Sequence, residues 1–402
     1  MATGFVPPMT GYYQRMDNGL ARDNRHAPLW LIASTVLNRA GGLIILLILG
    51  HGFAANLLAH YFAALIAIAV AVSITQAGCG PLLVRLAQNR QWRSVGLIVM
   101  LRLIIAGIAI TLMAPNLPPV AWPVLIMPLA ASLSPDWLVT ARLQFHKILI
   151  IGALGQATGI VVALYATSFA TAPFWLYATA PAISLTSSLA SFFFAFDKPN
   201  RPAPPPTSHL PANIWPQLIG FTLLAGLLPN IDMALLPATL PQAEHDALLL
   251  VHRLLLLGAA LITAISGVLF AQNRQDKIRD IWLLLPALGM SLGFILFPHV
   301  ALNLLFGHSG EAETALLRMA AFWPLLLALV SRQFLVLQEQ SGHFVTACLA
   351  GFVILAGAAV IPQCENATAI ILVMNIKLAV LAITLYYAGR FHPILQGAPC
   401  QN

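Results

Sequence analysis

The chain has 402 residues, of which 59% are hydrophobic and only 8% charged, a balance that leaves too little polar surface to coat a soluble globule of this size. The formal net charge of +7 does not signal nucleic acid, because Lys and Arg are scattered singly and recur in alternate loops, the pattern that orients a membrane protein. Cys79, Cys348, Cys364 and Cys400 lack CxxC spacing and lie in or beside different apolar stretches, which argues against a zinc site and against a disulfide framework.

Residues 1–27 form a charged N-terminal segment with Arg15, Arg22 and Arg25. No small-residue cleavage site of convincing form follows the first apolar run, so that run is expected to be a span and not a removable signal. A bilayer core of roughly 30 Å needs about 20 apolar residues per helix, and lipid offers backbone groups no partner, so the spans must be helical. The apolar runs predict a first lobe over 28–196, with helices at Pro28–Leu49, Ala54–Ile74, Ser94–Ala114, Val120–Leu138, Ile148–Thr167 and Phe174–Phe196. The proline-rich stretch DKPNRPAPPPTSHLPAN cannot continue a helix and predicts a semi-rigid linker over 197–214. A second lobe over 215–388 follows, with helices at Trp215–Leu236, Ala247–Phe270, Ile281–Val300, Thr314–Ser331, Phe344–Pro362 and Ala367–Ala388, and then a tail over 389–402. Six spans per lobe mean that both lobes enter the membrane in the same direction, as in some two-lobed transporters.

Loop charges orient the chain. One side holds the N-terminal arginines, Arg85, Arg90 and Arg93, Arg142 and Lys147, Lys198 and Arg201, Arg274, Lys277 and Arg279, Arg332, and Arg390. The opposite loops, around Gly52, Pro118, Thr171, Pro241, Gly310 and Glu365, hold no Lys or Arg but contain Glu244, Asp246, Glu311, Glu313 and Glu365. The positive-inside rule then places both termini in the cytoplasm, and an odd number of spans would have scrambled this separation.

Five cations fall inside the spans: Arg39, Arg102, Arg253, Arg318 and Lys377. At ~1.5 Å per residue, Arg39 and Lys377 lie about 15 Å deep, near the midplane, where each costs roughly 2.5–3.5 kcal/mol on insertion scales. They are expected to face an internal watered cavity, with Arg102 lining the same chamber. Arg253 and Arg318 lie nearer the acidic-loop face, where a side chain reaching the headgroups competes with a cavity role. Asp232 sits at a depth close to that of Arg253 and is expected to pair with it, either as a lock between helices or as a proton- or cation-coupling group. His60 and His252 read either as hydrogen-bonded packing residues or as proton carriers, His60 being the further coupling candidate beside Asp232, and Asp136 reads as a cap at the cytoplasmic rim. Gly41, Gly42, Gly78 and Gly80 permit close helix approach, and Pro181, Pro229 and Pro324 interrupt spans.

An interior with so few acids attracts phosphate or carboxylate groups and repels cationic solutes. Arginine grips phosphate oxygens bidentately and lysine attracts them as a point charge, so a diphosphate is chemically matched, and a carboxylated sugar satisfies the same argument. No GxxxxGK[ST] nucleotide loop occurs, and no cofactor is implied. A membrane enzyme of polysaccharide assembly, such as a polymerase, ligase or glycosyltransferase, is the competing class. Against it stand short outer loops and the lack of an internal carboxylate pair placed for acid and base work.

Several stretches carry a resemblance: Asn38-Arg39 in the first span, LLVRLAQNRQWRS at Leu82–Ser94, SPDWLVTARLQFHKILI at Ser134–Ile150, PNIDMALLP at Pro229–Pro237, VHRLL around Arg253, and NLLFGHSGEAETALLRMAAFWPLL at Asn303–Leu326. With them the chain resembles the Wzx-type polysaccharide flippases of the multidrug/oligosaccharidyl-lipid/polysaccharide (MOP) exporter superfamily. The resemblance implies an all-α membrane protein of about twelve helices in two six-helix bundles around a V-shaped central cavity. It implies alternating access that moves an undecaprenyl-diphosphate-linked glycan to the periplasmic leaflet of a bacterial inner membrane. By the same analogy, the partners are membrane lipids, a coupling ion (H+ or Na+) and the polysaccharide polymerase machinery. Peptidoglycan-precursor and drug exporters of the same superfamily are similar; the former typically carry two further helices, and the latter favour cationic substrates.

Overall fold

The computed structural model describes residues 27–76, 79–142, 144–169, 173–196, 215–272, 278–339 and 343–395, and no strand occurs among them. The N-terminal arginines and the 197–214 linker lie outside the described residues. The first lobe contains α1 (Ala27–Gly52), α2 (Ala55–Gln76), α3 (Cys79–Gln88), α4 (Trp92–Met113), α5 (Ile126–Leu133), α6 (Asp136–Ala141), α7 (Phe145–Ser168) and α8 (Pro173–Phe196). The second contains α9 (Trp215–Leu227), α10 (Ile231–Ala234), α11 (Gln242–Gln272), α12 (Ile278–Leu296), α13 (Pro298–Phe306), α14 (Glu311–Met319), α15 (Trp323–Glu339), α16 (Phe344–Val360) and α17 (Ala367–Leu395).

Among the described residues, nine helical stretches are long and apolar enough to cross a bilayer, and the bent pair α12–α13 makes a tenth. With helix α1 and the broken α9–α10 segment, the chain is an all-α membrane protein of about twelve spans in two six-helix bundles. Large apolar side chains face outward, as lipid as solvent requires: Leu97, Ile104, Ile108 and Leu112 line one exposed stripe of α4, and Phe193 on α8 is 77% exposed.

Four departures from the sequence expectation shape the cavity's surroundings. The loop after the second span is helical: in α3, Leu82, Leu83 and Leu86 are buried against Val95, with Trp137 and Ile219 packed on them. The fourth span starts as a 3-10 turn at Pro119–Leu125 and is interrupted before α6, where Pro135 cannot donate a backbone hydrogen bond. The seventh span breaks at Leu228–Asn230, because Pro229 has no N–H for the helical ladder. The ninth span turns by 94° between α12 and α13: Phe297 leaves helical geometry ahead of Pro298, which is well suited to the first turn of the next helix.

The lobes meet through α1, α2 and α3 on one side and α9, α10, α11 and α13 on the other. At the acidic-loop end they are sealed. A Cβ at Gly50 of α1 would overlap the Leu305 carbonyl of α13, so only glycine lets these backbones approach so closely. The Phe62 ring of α2 lies 6.4 Å from that of Phe306, and both side chains are fully enclosed, at 2% exposure each.

Candidate functional site

Below this seal a cavity of about 400 Å³ lies between the lobes. Its wall is built by Asn38, Arg39 and Gly42 of α1, Phe62, Leu65, Ile66 and Ala69 of α2, Ala225, Gly226, Pro229 and Asn230 around the α9 break, and the α11 face from Leu249 to Ala260. The phase of each helix selects these residues. On α11, Leu249, His252, Arg253, Leu256, Leu257 and Ala260 recur at three- and four-residue spacing, one stripe of one face.

Two arginines therefore look into one chamber from opposite lobes, Arg39 from α1 and Arg253 from α11, and among the described residues no carboxylate lines it. Neither arginine makes an ion pair with a described residue. Arg253 lies over the Phe62 ring, with Cζ 5.3 Å from the ring centroid, and its Nε is buried without a hydrogen-bond partner. His252, 1% exposed, donates from Nε2 to the Pro229 carbonyl at 2.7 Å, the acceptor at the helix break. A carbonyl can only accept, so Nε2 carries the hydrogen and Nδ1, which has no partner, remains as an acceptor in the neutral ring. The Asn230 side-chain oxygen is also buried and unsatisfied. Buried polar groups are nearly always partnered, so three such atoms around one cavity mark a place for water or ligand.

The remaining sequence candidates lie elsewhere. Lys377 does not line the cavity: its ammonium forms a buried ion pair with Asp232 inside the second lobe. This replaces the expected Asp232–Arg253 pair. The helix break carries Asp232 onto α10, and Gly357 of α16 leaves room for the lysine stem, since a Cβ there would stand 2.6 Å from Lys377 Cδ. Arg102 is buried within the first lobe, 4% exposed, and donates to the Ala131 carbonyl of α5 at 2.5 Å. It braces the α4–α5 contact and does not reach the chamber. Arg318 is exposed in the last turn of α14 and lies outside the cavity, the surface placement that competed with a cavity role. His60 is exposed outside the cavity and bonds from Nδ1 to the Asn56 carbonyl of its own helix at 2.6 Å. Asn230 and Phe62 escaped the sequence reading. The signal for Asn230 was its place after Pro229, while nothing within the apolar run from Phe62 to Val72 distinguishes Phe62.

No protein-family model and no curated protein sequence matches the chain. Solved structures do. A MOP superfamily transporter from Pyrococcus furiosus aligns over 91% of this chain and 94% of its own, with a TM-score of 0.60 at 14% identity. The chain has the fold of MOP superfamily transporters. A multidrug resistance MATE transporter of that superfamily in an outward-facing conformation covers 93% and 96% of the two chains, with a TM-score of 0.62 at 14% identity. An inward-facing conformation gives 0.55 at 13% identity over 91% and 96%. The MOP fold thus covers both lobes of this chain, and its cavity sits at their junction.

Proposed function

We propose that this protein is an alternating-access transporter that flips an anionic lipid-linked sugar, an undecaprenyl-diphosphate-linked oligosaccharide, from the cytoplasmic to the periplasmic leaflet of a bacterial inner membrane during surface-polysaccharide assembly. The observation that carries this reading is the pair Arg39 and Arg253, facing one inter-lobe chamber whose wall holds no carboxylate among the described residues. A low-dielectric chamber with two uncompensated cations raises the local concentration of anions, and guanidinium groups match phosphate oxygens in geometry. A volume of about 400 Å³ is at the low end of ligand pockets, which span roughly 300–1,000 Å³. It suits a diphosphate headgroup, with the glycan and polyprenyl chain reaching outside the enclosed part. With the cationic loops in the cytoplasm, the seal at Gly50 and Leu305 is periplasmic and the chamber is loaded from the cytoplasmic side.

Multidrug export is the competing reading, because the MATE transporters share the fold. The chamber charge weighs against cationic drugs, and the Pyrococcus furiosus relative, described as having a binding pocket of reversed polarity that suggests a different function, supports the idea that this fold accepts different pocket charges. The test is equilibrium binding of a polyprenyl diphosphate to purified protein. Arg39→Ala and Arg253→Ala should each weaken binding by about 1.5–3 kcal/mol, roughly 10- to 100-fold, the worth of hydrogen bonds to a charged group. Arg318→Ala, outside the chamber, should bind like the parent; equal loss in all three variants would refute the assignment.

A further inference from the structure

Phe62 occupies a position that the transport reading leaves unused. It belongs to the first lobe, yet two groups of the second lobe close on its ring: the Arg253 guanidinium at 5.3 Å and the Phe306 ring at 6.4 Å. The first is the chamber's cation, and the second belongs to the seal. One side chain thus touches both the ligand-facing charge and the contact that shuts the cavity.

We propose that Phe62 is a positioning residue that couples anion capture by Arg253 to opening of the seal between α1–α2 and α13. The proposal rests on the reading of the chamber as an anion site. Among the described residues the guanidinium has no carboxylate partner and its Nε no hydrogen bond, so across the lobes it rests on the face of Phe62, with Tyr61 of the same helix also in electrostatic range. A phosphate offers it charge-assisted, bidentate hydrogen bonds, which are stronger than the ring contact. Capture draws the guanidinium off the ring, and the inter-lobe contact weakens only when the chamber is loaded. A ligand shifts a conformational equilibrium only through such a difference between the two states. Without a ligand the same contact keeps the seal closed, which limits empty cycling and leak.

The experiment is hydrogen–deuterium exchange of residues 298–306 in the full-length protein in lipid nanodiscs, with and without inorganic pyrophosphate, alongside calorimetric measurement of pyrophosphate binding. In the parent, saturating pyrophosphate should raise exchange at the seal on the order of tenfold, the scale of a desolvated cation–π contact. In Phe62→Leu, exchange should already be raised without ligand and should no longer respond, and pyrophosphate should bind more tightly than to the parent, because it no longer has to displace the ring contact. Pentafluorophenylalanine at position 62 keeps the ring's size and inverts its quadrupole, so it should behave like Phe62→Leu even if the leucine variant fails to fold. A fluorinated or leucine variant that binds pyrophosphate and responds as the parent does would overturn the coupling role. A parent that binds pyrophosphate without a change at the seal would do the same. A parent that binds no pyrophosphate would overturn the anion site itself, and the coupling with it.

Discussion

The Asp232–Lys377 pair is the only ion pair among the described residues with both side chains at 3% exposure or less. Its energetics are those of a buried pair. Attraction between the two charges offsets a large desolvation cost, and removing one partner leaves an uncompensated charge in a dry interior. Asp232→Asn or Lys377→Met alone should therefore destabilise the protein by about 3–5 kcal/mol, while the double variant should recover most of that loss. Thermal unfolding in detergent checks this, and a double variant no more stable than either single one would contradict it. If energy coupling runs through Asp232, the group it releases is Lys377 and not Arg253. The charges were legible in the sequence because a cation at mid-span depth is costly, but depth carries no azimuth. Arg102 lies on a helix apolar on every side, so nothing in its neighbours told that the lipid stripe of Leu97, Ile104 and Ile108 turns it into the first lobe. Lys377 could not be matched with Asp232, 145 residues earlier, because the partner's direction depends on a helix break.

At the scale of elements, the breaks give the site its shape. Pro229 ends α9 early and frees the carbonyl that His252 uses. The bend ahead of Pro298 sends α13 across to α1. Both prolines were visible in the sequence, and Pro229 was marked as an interruption. The cost of a proline inside a helix is local, however, and whether a chain kinks gently or turns by 94° depends on what the second half packs against. Here α13 finds the Gly50 surface. Gly50→Val should keep each lobe folded but force α1 away from the Leu305 carbonyl, favouring a state with the seal open. In a background without the native cysteines, Phe306→Cys should then react faster with a membrane-impermeant maleimide when Val replaces Gly50. An unchanged rate would show that the seal does not rest on this contact.

At the scale of the whole molecule, the spans, the lobes and the segregation of loop charge were readable because each is a bulk property: length of apolar run, proline content and a one-sided count of cations. The chamber was not, since it arises where α1 and α2 meet α9 and α11, helices of different lobes whose facing sides no local sequence pattern fixes. Of five internal cations, only Arg39 and Arg253 share it, and the account of substrate charge narrows to those two. The most direct measurement is flipping by purified protein in proteoliposomes, followed by protection of a fluorescent polyprenyl-diphosphate-linked sugar from an external reductant. The account predicts flipping that is lost in Arg39→Ala and Arg253→Ala and little affected by a cationic dye offered in competition. Flipping that survives both substitutions, or transport of the dye in place of the diphosphate, would contradict it.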